Sequence, residues 1–419
     1  MADSDPQSNQ AEVSPWAVFA RLDFFYLWSS GVAMTVSTLL FTLISSQWLY
    51  DKNRSAAQLG LLGAVQFLQL PVALYGGALA DRLDRKKLMA LTQIVVTLSL
   101  AILAILAAGH NLKPWHIFVV TGLSGMITML GSSARPAMLP RVVSRNLVTH
   151  AITTLNVSSQ AATVLGPIVF WQVYDRLGVA TAFGIAAAIC LLGVVLTLTI
   201  RTSGKPEVTS HPSMWTSLKE GGLFVKKHKL LPGLYVLDLG VTVVSFYRQL
   251  FPVFARQLYG LGAQGTGLLN TANAAGGILG ALAVFFTGKI SRKGVVTLVG
   301  TLVYAVFLIG FGINRNFILG LIFVGILGMT DTISMVMRST IVQLTTPDAL
   351  LGRASSIGSF VAMGANNIGQ VEVGTLSGLI GAGQTMALGG VLSVVFVVAV
   401  WRFWPGIRGY RYTSTIETS

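Results

Sequence analysis

Gly77-Ala-Leu-Ala-Asp81-Arg82-Leu-Asp84-Arg85-Lys86-Lys87 sets a dense cluster of charges directly after an apolar run of helix length, since Ala56 to Ala80 holds no charged residue. A junction of this kind is where a helix leaves the hydrocarbon core of a bilayer and the chain turns on the cytoplasmic side. The rest of the chain agrees. Aliphatic and aromatic residues form 53% of the 419 and charged residues only 11%, against roughly 25% charged in a soluble domain. Mean hydropathy is +0.70. The 45 glycines suit helices that must approach closely in lipid. The sequence therefore predicts an all-α integral membrane protein.

Apolar stretches of about 20 residues, the length that crosses about 30 Å of hydrocarbon, recur twelve times: 22–48, 57–80, 88–108, 115–139, 149–172, 178–200, 231–256, 265–288, 294–313, 316–342, 353–377 and 382–404. With the amino terminus inside, roughly 22 of the 29 Lys and Arg fall in cytoplasmic segments, the asymmetry of the positive-inside rule. Both termini are then cytoplasmic. Residues 1–21 form a polar tail without the basic start of a signal peptide. Residues 22–200 form a first bundle of six helices, 201–230 a cytoplasmic central loop, 231–404 a second bundle of six, and 405–419 a second tail. In the central loop Trp215, Leu218, Gly222 and Val225 share one helical face edged by Lys219 and Lys226, the pattern of a helix on the inner membrane surface. A plain flexible linker is the alternative.

The two bundles echo each other. Shifting the second half back by 207 sets Gly267 on Gly60, Lys289 on Arg82, Arg292 on Arg85 and Lys293 on Lys86; a shift of 203 sets Arg338 on Arg135, Leu350 on Leu147, Ala354 on Ala151 and Gly369 on Gly166. Such repeats are common in secondary transporters. The twelve spans, the two-fold echo, the loop Gly77 to Lys87 and Gly166-Pro167 together resemble the major facilitator superfamily. More narrowly, Ser133-Ala-Arg135-Pro-Ala-Met-Leu-Pro140-Arg141, Arg338 to Gln343, Thr346-Pro347-Asp348 with Gly352-Arg353, and Asn367-Ile-Gly369-Gln-Val-Glu372-Val-Gly374 resemble its branch of bacterial enterobactin exporters and drug:proton antiporters. Asp84 stands where that superfamily usually has glycine.

The resemblance implies alternating access between two pseudo-symmetric six-helix bundles, with a cytoplasmic latch built on Gly77 and Asp81. Asp81 would face the start of helix eleven around Arg353, while Arg82, Arg85 and Lys86 would meet carboxylates or helix carboxyl ends. The alternative is that these charges only set topology. Arg135 and its repeat mate Arg338 are read as cytoplasmic gate residues. Ionisable residues inside the spans are the sharper signal, because each is expensive in hydrocarbon. Asp238, Arg248, Asp331 and Glu372 qualify. Arg248 and Glu372 fall at similar depths and could pair, the pair serving either for proton coupling or as a static support. Asp238 is a second proton-coupling candidate, and Asp331 either a third or an anchor with Arg338. Arg248, Asn156, Gln160, Asn366, Asn367 and Gln370 are the candidate substrate contacts; the amides could equally bond neighbouring helices.

The expected partners are a small siderophore-like or drug-like molecule, protons and the lipid bilayer, with no nucleic acid, for a monomer in a bacterial inner membrane. No cofactor is expected. Gly288-Lys289-Ile290 lacks the flanking pattern of a phosphate loop, the five histidines have no zinc spacing, and Cys190 is the one cysteine. Enzymatic turnover is not expected. A multidrug antiporter, and a non-transporting receptor or assembly protein on the same fold, are the alternatives to siderophore export.

Overall fold

The computed structural model describes residues 15–72, 83–132, 134–205, 214–287 and 290–411, which form helices and turns and, among the described residues, no strand. Helix α1 (Leu22–Asn53) ends where Arg54 adopts a left-handed conformation (φ 52°) and its N–H returns to Tyr50 O at 2.8 Å, so the chain reverses at once into α2 (Ala56–Gln66). Helix α3 (Arg85–Ala108) starts at a capped end. The Asp84 carboxylate accepts from the backbone N–H groups of Lys86 and Lys87 at 3.0 and 3.2 Å, satisfying donors that a helix start leaves open. Helices α4 (Pro114–Gly131) and α5 (Ala134–Val142) follow, then α6 (Val148–Thr199).

At 52 residues α6 is far longer than a bilayer requires, and Gly178 (φ 79°, ψ 170°) breaks it. Gly381 (φ 90°, ψ 152°) makes the equivalent turn between α12 (Asp348–Ile380) and α13 (Ala382–Phe403), 203 residues later. One of the two repeat shifts therefore reappears as a shared backbone conformation. Between these lie α7 (Met214–Lys227) in the central loop, α8 (Leu231–Val244), α9 (Ala263–Thr287), α10 (Lys293–Ile313) and α11 (Phe317–Thr345).

Among the described residues nine helical segments are long and apolar enough to cross a membrane, where the sequence led us to expect twelve. Each difference has a physical reason. Spans five and six are fused as α6 and parted only by Gly178. Span two is described only from Ala56 to Val72. Span eleven is α12, whose serines, Asn366, Asn367, Gln370 and Glu372 lower its hydropathy.

Within the first half α6 packs on α1 and α3; within the second, α9 packs on α11 and α10 on α13. The halves meet along α2 with α12 and α6 with α9. Repeat mates occupy equivalent places in this scheme. A Cβ on Gly374 would stand 2.5 Å from Cα of Gly60 in the α2–α12 contact, and one on Gly267 would stand 2.7 Å from Pro167 O in the α6–α9 contact. Gly166 lies against Leu39 of α1, and Gly369 against Thr242 and Phe246 beside α8. Thr266 donates to Gln47 Oε1 at 2.6 Å, and Gln370 to Gln66 Oε1 at 3.3 Å. The first of these bonds lies in the part of the bundle that carries the Asn53–Ala56 turn.

Candidate functional site

The helix that should carry Arg248 is broken beside it. Beyond Val244 the α-helix stops, Tyr247–Leu250 forms a tight 3₁₀ turn, and Phe254–Leu258 continues as a π-helical segment. The gap is held by hydrogen bonds to its own backbone: Tyr304 OH donates to Ser245 O at 3.0 Å, and Ser245 Oγ to Val241 O at 2.6 Å. Unwound backbone at this depth is tolerated only where protein or a cavity satisfies it. Here it lines a cavity of about 210 Å³ between α8, α10, α11 and α12.

Four charges face that cavity, and they form two pairs of unlike tightness. Arg338 reaches Asp238 at 2.6 Å, with side chains 17% and 18% exposed; Arg248 and Asp331 are 3.6 Å apart, 49% and 45% exposed. The first is a charge-assisted hydrogen bond. The second is a looser attraction beyond hydrogen-bond range. The Arg248 guanidinium is flanked by the rings of Phe246 and Tyr247 at 5.8 and 6.0 Å. Asn366 lines the same cavity.

This arrangement corrects the pairing of Arg248 with Glu372 that their depths allow. The break turns Arg248 toward α11, where Asp331 meets it, while Glu372 is half-buried on α12 and its Oε2 has no hydrogen-bond partner among the described residues. Asp331 and Arg338, two turns apart on α11, each take a partner from the α8 segment instead of serving one another. Asn367 and Gln370 lie against a neighbouring helix, the alternative left open for the amides. Gln370 bonds Gln66, and both crowd Gly63 of α2, so they build the contact between halves. Gln160 is exposed and lines neither this cavity nor the next.

A second cavity, of about 390 Å³, occupies the equivalent place in the first half, between α1, α3, α4–α5 and α6. Arg135 and Asn156 line it, and among the described residues Arg135 is its one charged lining residue. Of the expected latch, Gly77, Asp81 and Arg82 lie outside the described residues. Arg85 donates to Ala137 O at 3.1 Å and Lys86 Nζ to Ile200 O at 2.6 Å, so both engage carbonyls of the first half, one at the carboxyl end of α6. Arg353 is half-buried near the start of α12. The broken helix and its tyrosine support escaped the sequence reading. Pro252 and the Ser245-Phe246 step were the available signals.

Residues 26–370 match the family model described as Major Facilitator Superfamily. The chain belongs to the major facilitator superfamily. It is 26% identical over 381 residues to proteins named enterobactin exporter EntS from Shigella boydii serotype 4 (strain Sb227) and Escherichia coli O81 (strain ED1a), covering 89% of this chain and 88% of each relative. Among solved structures it resembles the nucleoside transporter NupG (TM-score 0.73, 14% identity, 91% of this chain and 99% of that one) and a D-xylose-proton symporter (TM-score 0.66, 15% identity, 95% and 100%). The superfamily fold is thus shared at identities too low to speak for substrate. This is a multi-pass membrane transporter of that superfamily.

Proposed function

We propose that this transporter exports a siderophore or similar amphipathic small molecule across a bacterial inner membrane in exchange for protons, as a monomer with both termini in the cytoplasm. The observation that carries the coupling is the loose Arg248–Asp331 pair, half-exposed to a cavity at a broken helix. Protonating Asp331 ends its pairing and frees the Arg248 guanidinium; ionising it restores the pair. A carboxylate in this position can therefore carry a proton between two arrangements of the same cavity. Asp238, tightly held by Arg338, supports the same exchange at a second site. The named relatives support the substrate class.

The basic residues of the loops favour the orientation with the Asn53–Ala56 turn outside. On that orientation the Gln47–Thr266 and Gly60–Gly374 contacts close the outer side, which supports reading this state as open inward, ready to load an exported molecule. In the same state Arg85 and Lys86 are bonded within the first half, as a released cytoplasmic latch requires.

The test is purified full-length protein in liposomes under an imposed pH gradient, with enterobactin as the transported probe. Wild type is expected to move it in the direction opposed to protons, and Asp331→Asn to lower the proton-driven rate about ten-fold or more, a transition-state difference near 1.4 kcal/mol. Gradient-independent movement, or full coupled transport by Asp331→Asn, would count against the proposal.

A further inference from the structure

The two halves fill one equivalent position differently. In the second half, Arg338 of α11 is neutralised by Asp238 of α8 at 2.6 Å. Its repeat mate Arg135 lies on α5 against Gly31 of α1, where a Cβ would stand 3.0 Å from Nη1. The shift of 207 that superposes the charged loops also sets Asp238 on Gly31. The first half therefore keeps the guanidinium and lacks the carboxylate. Among the described residues no hydrogen bond or ion pair engages Arg135, and its Nε is buried without a partner. An arginine cannot shed its charge in a protein, and a charge removed from water without a partner is costly. The four charges of the second half's cavity cancel; among the described residues the first half's cavity is left with a net positive charge.

The geometry points to Arg135 as the anchor for an anionic group of the transported molecule, which takes the place that Asp238 fills in the other half. This inference rests on the transporter reading and narrows its substrate to an amphipathic organic anion. A carboxylate or ionised catechol meets the planar guanidinium, whose parallel N–H groups suit two oxygens at once. Asn156 and Ser159, one turn apart on α6, offer further polar contacts beside it, while Met34, Met89 and Leu155 offer an apolar wall. The cavity, about 390 Å³, is of the size that small-molecule sites occupy. Arg135, expected from the sequence to be a gate residue, is thereby assigned to binding.

The probes are salicylate and its neutral counterpart salicylamide, titrated onto purified full-length protein in detergent at neutral pH. Wild type should bind salicylate at least about ten-fold more tightly than salicylamide, the difference a charge-assisted hydrogen bond makes. Arg135→Met should erase the preference, and Gly31→Asp should erase it by supplying an internal carboxylate. Arg135→Lys should keep part of it. Melting temperature and monodispersity qualify each variant, and either folded variant suffices. Equal or absent binding of the two probes by wild type, or an unchanged preference in folded Arg135→Met or Gly31→Asp, overturns the inference. Liposome transport separates this from the broader reading. If wild type moves enterobactin and Arg135→Met binds and transports unchanged, the anion site falls and the exporter stands. If wild type moves nothing yet prefers salicylate through Arg135, the exporter falls and the site stands.

Discussion

Asp84 departs from the glycine usual in the charged loop, and its carboxylate supplies a helix cap in return. It accepts from two backbone N–H groups at the start of α3, so Asp84→Ala should cost about 1 kcal/mol, measured as lower thermal stability of the purified protein, with Asp84→Asn retaining most of it. The two ion pairs differ in the same currency. Removing Arg338 strands a largely enclosed Asp238, so Arg338→Met should lower stability by about 3 kcal/mol; removing Arg248 from a half-exposed pair should change it by about 1 kcal/mol or less. Denaturation of both variants beside wild type checks the order. That Asp238, Arg248 and Asp331 lie inside the bundle was legible from their setting in apolar runs. Which acid meets which arginine was not, because pairing depends on where separate helices come to lie.

A helix can be counted from hydropathy even where it is not continuous. The run from Leu231 to Leu258 reads as one span, yet its backbone is interrupted after Val244, and the Ser245 carbonyl accepts from the Tyr247 N–H at 2.7 Å and from Tyr304 of α10. Tyr304→Phe removes one of that carbonyl's two donors and should cost about 1 kcal/mol, seen as a lower melting temperature, with transport impaired because Arg248 is no longer held toward Asp331. By contrast Gly276-Gly277-Ile-Leu-Gly280 on α9 sets small residues at helical spacing, and the structure brings them against α11, where a Cβ at Gly276 would overlap Gly325 O while one at Gly280 would overlap Met329 O. Small residues at helical spacing announce proximity in lipid; an unwound turn has no comparably clear signature.

The two halves touch along α2 with α12 and α6 with α9. Gln47 of α1 and Thr266 of α9 also touch between the halves at 2.6 Å, and Cys190, the one native cysteine, is buried. Oxidative cross-linking of a Gln47→Cys, Thr266→Cys double variant should therefore stop turnover, and reduction should restore it; transport that continues after complete cross-linking would rule out separation of these helices during the cycle. The repeat shows most clearly at this scale. Gly60 and Gly267 both lie between halves, Gly178 and Gly381 both make the last turn of their half, and Arg135 and Arg338 both face a cavity. The symmetry is of backbone and packing. It does not extend to charge, since Gly31 stands where Asp238 has its equivalent.

The sequence by itself determined the membrane setting, the helical class, the repeat and the superfamily, because hydropathy, glycine spacing and loop charge are local properties that accumulate along the chain. Only the tertiary structure decided that Arg248 meets Asp331, that Asn367 and Gln370 join the halves, and that Arg135 lines a cavity of its own against Gly31. Each of those depends on the distance between residues tens to hundreds of positions apart, which helix breaks and packing set and which no stretch of sequence records.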